Sequence, residues 1–166
     1  YTLSLHDALP IYGMPEKTAE DFRNLKLHTG DLGRMDENGY IYFMDRVKDY
    51  IRRRGENVSS MEVERQVSEH PNVKEAAAIG VKAGEGASSE DEIMIVCIAE
   101  GETPDMVELT EFMAERMPYF MVPRYIRFVD TLPKTPTERV QKNKLRDEGI
   151  TADTWDREAA GVKVKR

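Results

Sequence analysis

Residues 45–56 read DRVKDYIRRRGE, that is Asp45-Arg46-Val47-Lys48-Asp49-Tyr50-Ile51-Arg52-Arg53-Arg54-Gly55-Glu56. Eight of these twelve side chains are charged, a density at odds with a buried element, so the stretch reads as a junction between two folded units with its boundary near Lys48. Downstream, Ser59 and Glu62 have capping-box spacing, which satisfies the first free N–H groups of a helix, and Pro71 ends that helix. Residues 73–82 and 92–100 are apolar runs of strand length separated by an acidic loop, Ala83 to Asp91. Thr103 and Pro104 predict the start of another helix, with Met106, Leu109 and Met113 on one face, and residues 124–129 predict a further strand. Upstream, Pro15 opens a short helix, and Asp36-Glu37-Asn38-Gly39 predicts a turn between strands near 32–35 and 40–44. The fold class is α+β: a small C-terminal domain with a mixed sheet flanked by helices, preceded by a strand-rich segment and followed by a polar tail containing a helix.

Composition narrows the possible functions. With 40% apolar and 33% charged residues, the 166-residue chain can build a modest core. A net charge of -7 argues against general affinity for nucleic acid or an anionic membrane, though a local basic site for phosphate remains open. Cys97 is the single cysteine and sits in the apolar run Ile93-Met94-Ile95-Val96-Cys97-Ile98, so it reads as an inert strand residue in a reducing, cytoplasmic setting. No apolar run approaches the ~20 residues of a membrane span. His6, His28 and His70 lack metal-ligand spacing, so no protein-held metal is expected.

The first stretch, Tyr1 to Ile11, resembles a translated sequencing adapter: the adapter read in one frame encodes it without interruption, and the base left over is the one that begins a codon for Tyr12. Alternation from Thr2 to His6 would also suit a short strand. The expectation is that residues 1–11 are foreign to the fold and that an N-terminal portion of the protein precedes Tyr12.

Three groups of residues carry a family resemblance: His28-Thr29-Gly30-Asp31; then Gly39-Tyr40 through Arg46, Lys48 and Asp49; then Arg54-Gly55-Glu56-Asn57-Val58-Ser59. In this order and spacing the chain resembles the C-terminal portion of the acyl-adenylate-forming, AMP-binding superfamily, which includes acyl-CoA synthetases, peptide-synthetase adenylation domains and firefly luciferase. Phe43-Met44-Asp45-Arg46, with Asp45 where most members have glycine, is similar to crotonobetaine/carnitine-CoA ligase, as is the tail from Gly149 to Arg166. The resemblance implies residues 12–47 as the end of a large nucleotide-binding domain, 48–148 as the mobile C-terminal domain and 149–166 as a tail. It also implies an ATP-dependent acyl-CoA ligase that uses Mg2+, joins a small carboxylic acid to AMP and transfers the acyl group to coenzyme A. The missing N-terminal domain would be this segment's partner, and the fragment alone would be inactive. Alternatives are a non-catalytic acyl- or CoA-binding module and a peptide-synthetase adenylation domain.

The same resemblance assigns residues. Asp31 matches the acid that accepts hydrogen bonds from the ribose hydroxyls, and Arg46 a residue assisting at the nucleotide. Lys48 matches the hinge about which the C-terminal domain swivels between half-reactions. Arg52, Arg53, Arg54 and Gly55 match the loop that meets coenzyme A, where glycine allows close backbone approach and arginines suit phosphate. In Pro133-Lys134-Thr135-Pro136-Thr137-Glu138-Arg139, Arg139 occupies the usual catalytic lysine position and Glu138 the usual glycine. Lys142 is an alternative cation, although its spacing suits a later basic position better. Tyr12-Gly13-Met14-Pro15-Glu16 superficially resembles an adenine-contacting motif, but it lies too close to Thr29-Gly30-Asp31; it aligns better with the helix before them. The glycine-rich loop around Gly84 to Asp91 is too acidic for a triphosphate cradle.

Overall fold

In the strand run Ile93-Met94-Ile95-Val96-Cys97 every side chain is buried, a pattern that arises only when a sheet is covered on both faces. The structure, a computed structural model, describes residues 13–82 and 91–164. The adapter-like stretch, Tyr12 and most of the acidic loop, residues 83–90, lie outside the described residues. The chain divides into two units, the first ending at Lys48 and the second beginning at Asp49.

In the first unit, helix α1 (Pro15–Asp21) and a single 3-10 turn (Arg23–Leu25) precede strands β1 (Asp31–Met35) and β2 (Ile41–Arg46). The Asp36 carboxylate closes the connection by accepting the N–H groups of Asn38 and Tyr40 at 2.9 and 3.0 Å. The antiparallel ladder pairs Asp31 with Arg46, and a bulge after Leu32 leaves Met44 without an opposite residue. Asp45 is buried, and its Oδ1 accepts the Arg46 N–H at 2.7 Å. The other β2 residues, including Tyr42, Phe43 and Met44, are exposed.

The second unit starts with the hairpin of β3 (Ile51–Arg53) and β4 (Glu56–Val58), followed by α2 (Ser60–Val67). Ser59 caps α2, its Oγ accepting the Glu62 N–H. Strands β5 (Val73–Val81), β6 (Glu92–Ala99), β7 (Tyr125–Phe128) and β8 (Trp155–Asp156) form a sheet in that order. The β6–β7 pair is parallel and the other two pairs are antiparallel, so the sheet is mixed. Helix α3 (Met106–Arg116) makes the crossover between β6 and β7. It begins two residues later than Pro104 suggested, because the Asp105 carboxylate accepts the N–H groups of both Val107 and Glu108 and so sets the cap.

One face of the sheet supplies Ile93, Ile95, Cys97 and Ile126 to a cluster with Val63 and Val67 of α2 and Leu109 and Met113 of α3. The opposite face supplies Ala77, Ile79, Met94 and Val96 to a smaller cluster closed by Leu132 and by Leu145 of α4 (Lys142–Glu148). Trp155 packs at the edge of the first cluster, so the tail adds a short strand where only a polar segment with a helix was expected. No helix among the described residues is long and apolar enough to cross a membrane.

Cys97 has no exposed surface, and burial pushes its thiol up to about 12. A disulfide reagent at pH 8 is expected to leave Cys97 unmodified in the native protein and to modify it fully in denaturant. Rapid native labelling would contradict this core assignment.

Candidate functional site

The first unit brings two predicted residues together. Asp31 begins β1, its ladder partner Arg46 ends β2, and their Oδ1 and Nε atoms lie 3.4 Å apart. Both side chains are exposed, so the pair is a weak surface contact that a ligand bearing hydroxyls could enter. The Thr29 hydroxyl accepts the Asp31 N–H at 3.2 Å, which gives the Thr29-Gly30-Asp31 turn its shape. Gly30 adopts φ 74, and its carbonyl accepts the Val47 N–H at 2.9 Å. Lys48 follows this bond as the last residue of the unit and is exposed.

In the second unit, Arg53 and Glu56 pair across the β3–β4 hairpin, leaving Arg54 and Gly55 as a two-residue turn. Both have positive φ, 52 and 81, the combination that matches the twist of tightly connected antiparallel strands. Glycine enters this region freely, whereas the arginine is strained in it.

The three arginines of this stretch have different surroundings. Strand alternation places Arg53 on the face shared with buried Ile51, and Arg53 is only 2% exposed. Its Nη1 donates to the carbonyls of Phe120 and Val122 at 2.8 and 3.0 Å. Its Nε lies 2.8 Å from Glu92 Oε2, a close ion pair whose angle falls short of a hydrogen bond. Burial lowers the pKa of Arg53, and the Glu92 carboxylate opposes that shift. Arg52 is exposed on the other face and makes no ion pair among the described residues. Arg54, at the tip, is half-exposed and shared between Glu92 and Glu158 at 3.6 and 3.4 Å. Glu92 and Glu158 were not singled out from the sequence, because their partners are 38 and 104 residues away and no local spacing marks them.

The segment from Pro133 to Gln141 is a second hairpin. Lys134 and Val140 form a bridge, and the Thr135 N–H donates to the Arg139 carbonyl at 2.8 Å. The Thr135 carbonyl accepts the Glu138 N–H at 2.9 Å, closing a turn in which Pro136 holds the second position. Glu138 then adopts φ 61, as in a three-residue loop that ends in a left-handed bulge. The conformation that favours glycine is thus kept at this position, with glutamate bearing the strain. Lys134 lies 2.7 Å from Glu75 and 3.6 Å from Glu138, tying the loop to β5. Arg139 is exposed, and among the described residues its guanidinium has no ion-pair partner. Lys142 is committed elsewhere: its ammonium contacts Ser60 Oγ and Glu64 Oε1, both at 2.7 Å. Glu64 also accepts the Ala78 N–H, so Lys142 braces α4 against α2 and β5. No cluster of three or more metal-ligating side chains occurs among the described residues.

Residues 62–139 match the AMP-binding enzyme C-terminal domain. The chain is 36% identical over 136 residues to the fatty acid acyl-carrier-protein ligase ScoC of Streptomyces coeruleorubidus, covering 82% of this chain and 26% of that protein. It is 37% identical over 134 residues to a long-chain-fatty-acid CoA ligase of Escherichia coli, covering 81% and 23%. The ATP-bound structure of MatB from Rhodopseudomonas palustris superimposes with a TM-score of 0.72 at 34% identity, over 84% of this chain and 27% of that one. The chain therefore spans about a quarter of the length of the proteins it resembles.

Glu138 gives a direct test of the bulge. Glu138→Gly relieves the left-handed strain and gives up only an exposed pair with Lys134, whereas Glu138→Val adds β-branching where φ is 61. The glycine variant should be more stable than the valine variant by at least ~1 kcal/mol in urea unfolding, the scale of left-handed strain for a residue with a side chain. Equal stabilities would show that the bulge is not occupied in solution.

Proposed function

The chain belongs to the AMP-binding, acyl-adenylate-forming enzymes through its C-terminal domain, and from that membership we propose that it is the C-terminal part of an ATP-dependent acyl-CoA ligase. In the proposed reaction a substrate carboxylate oxygen attacks the α-phosphorus of ATP, and pyrophosphate leaves. The thiol of coenzyme A, losing its proton, then attacks the acyl carbonyl carbon, and AMP leaves. Mg2+ would arrive with the phosphates of ATP, as it usually does where a protein offers no cage of its own.

The observation that carries this reading is that one folded unit presents two separate cationic turns, Arg54-Gly55 and Glu138-Arg139, each in a left-handed conformation. A two-step reaction at a single site can use such a unit by presenting one turn for each step. Exposed Arg139 has the charge and reach to stabilise the α-phosphate as carboxylate attack builds negative charge. The Arg54-Gly55 turn has the narrow profile to approach a pantetheine chain, with Arg52 and Arg54 meeting phosphates. Arg53, committed to Glu92 and two carbonyls, acts by holding that turn in place. Asp31 and Arg46 would bind the nucleotide's ribose and phosphate, and Lys48, at the boundary between the units, would serve as the pivot.

The exposed aromatic and aliphatic side chains of β2 support the view that the first unit completes a larger nucleotide-binding domain, since an isolated hairpin is marginal in water. Phe43-Met44-Asp45-Arg46 and the tail support a relative of crotonobetaine/carnitine-CoA ligase. The buried thiol of Cys97 is compatible with a cytoplasmic enzyme.

Separating the half-reactions tests the proposal. In the full-length protein, Arg139→Ala should slow acyl-adenylate formation ~100- to 1,000-fold, as loss of a charge-stabilising donor does. The same variant should convert supplied acyl adenylate to thioester at nearly the original rate. Gly55→Leu should do the reverse, because φ 81 and added bulk both disturb the turn. Equal loss of both steps in Arg139→Ala, with folding intact, would contradict this division of labour.

A further inference from the structure

The Glu158 side chain occupies an unusual position. Its Oε1 lies 3.4 Å from Arg54 and 4.0 Å from Arg157, and its Oε2 lies 3.2 Å from Arg124. These contacts are all longer than those the neighbouring carboxylates make with their own arginines: Glu92 with Arg53 at 2.8 Å, and Asp156 with Arg124 at 2.9 Å. A carboxylate spread over three guanidiniums without a short contact to any is held by field more than by geometry.

Two of the three guanidiniums around it are held by other acceptors. Arg124 grips both oxygens of Asp156 at 2.9 and 3.1 Å. Arg157 is buried and donates to the carbonyls of Pro123 and Val162 at 3.3 and 3.1 Å. The Glu158 backbone is itself held, because its N–H donates to Asp156 Oδ1 at 2.8 Å. Its side chain, 40% exposed, can swing away without disturbing the bonds that hold Arg124 and Arg157. Four guanidiniums, of Arg53, Arg54, Arg124 and Arg157, here face three carboxylates, of Glu92, Asp156 and Glu158. Among the described residues, displacing Glu158 would remove one of the three carboxylates of this cluster and leave it more positive, in a chain whose net charge is -7.

We propose that Arg54 and Arg124 form an anion site whose resident anion in the free protein is the Glu158 carboxylate, and that a phosphate group of coenzyme A takes its place. The class of ligand rests on the acyl-CoA ligase reading; the site itself rests only on the geometry. A phosphate would accept from Arg54 and Arg124, two of the three guanidiniums on which Glu158 now rests, while Asp156 keeps Arg124 in position and the closed β3–β4 hairpin holds the backbone of Arg54. Glu158 thus holds the Arg54 turn ready before ligand arrives and opposes binding once it does.

Titration of the 166-residue chain with coenzyme A and, separately, with inorganic pyrophosphate tests this, using Glu158→Gln, Arg124→Lys and Arg54→Ala. Glu158→Gln keeps the side chain's shape and removes its charge, so both ligands should bind roughly threefold to tenfold more tightly, on the scale expected for removing two partly exposed competing ion pairs. Arg124→Lys should weaken both, because the planar fork is lost, and the melting point of each variant reports whether the frame survives. Unchanged or weaker pyrophosphate binding by folded Glu158→Gln would overturn the anion site. If pyrophosphate binding rises in that variant but coenzyme A binding is indifferent to Arg54→Ala, the anion site stands and the coenzyme A reading falls. If Arg54→Ala abolishes coenzyme A binding while Glu158→Gln changes neither ligand, the coenzyme A reading stands and the displaceable carboxylate falls.

Discussion

The buried contact between Arg53 and Glu92 is the constraint on which the second unit depends. A short two-stranded hairpin has little stability of its own, and the β3–β4 pair is three residues long on each side. Arg53 joins it to the first residue of β6 through Glu92 and to the segment before β7 through the carbonyls of Phe120 and Val122. A buried charge without a partner is costly, so this arginine and its acceptors hold one another in register. The exposed Arg54-Gly55 turn is placed by a side chain that cannot itself meet a ligand.

The two cationic turns share a physical device. Arg54 at φ 52 and Glu138 at φ 61 both sit where side-chain-bearing residues are disfavoured, and both are held by closed hydrogen-bonded hairpins. Under the proposed function, a turn preset in this way would not have to be ordered on ligand binding. The neighbouring cations are used differently: Lys142 braces helices, Lys134 ties a loop to a strand, and Arg139 is left facing solvent. The charges that the Pro133–Lys142 stretch lines up along the chain are sorted by the fold into braces and one outward-facing guanidinium.

Much of the architecture was legible in the sequence because it rests on local patterns. The apolar run of β6, the Ser59 cap and the Asp36 turn each depend on residues within a few positions of one another. Thr103-Pro104 misplaced the start of α3 because a proline's first-turn preference yielded to the Asp105 carboxylate, which bonds two N–H groups at once. Strand β8 was not legible, since two residues have no periodicity and exist as a strand only through pairing with β7. At the candidate site, the motif match pointed to Arg52, Arg53, Arg54 and Gly55 together and to Arg139, but a run of three arginines does not announce which one is buried. The alternation Ile51, Arg52, Arg53 held that information, because Arg53 shares a strand face with an isoleucine. Glu92, Arg124 and Glu158 were invisible because their partners are brought to them only by the sheet.

The most direct test compares two adjacent arginines in this stretch by urea unfolding of the whole chain. Arg53→Met leaves Glu92 with only the longer Arg54 contact and takes the donor from the Phe120 and Val122 carbonyls, and is expected to cost about 3–5 kcal/mol, the range for breaking a buried pair from one side. Arg52→Met, on the exposed face, should stay within ~0.5 kcal/mol of the wild type. Equal and small effects at both positions would contradict the view that Arg53 is the internal strut of the hairpin.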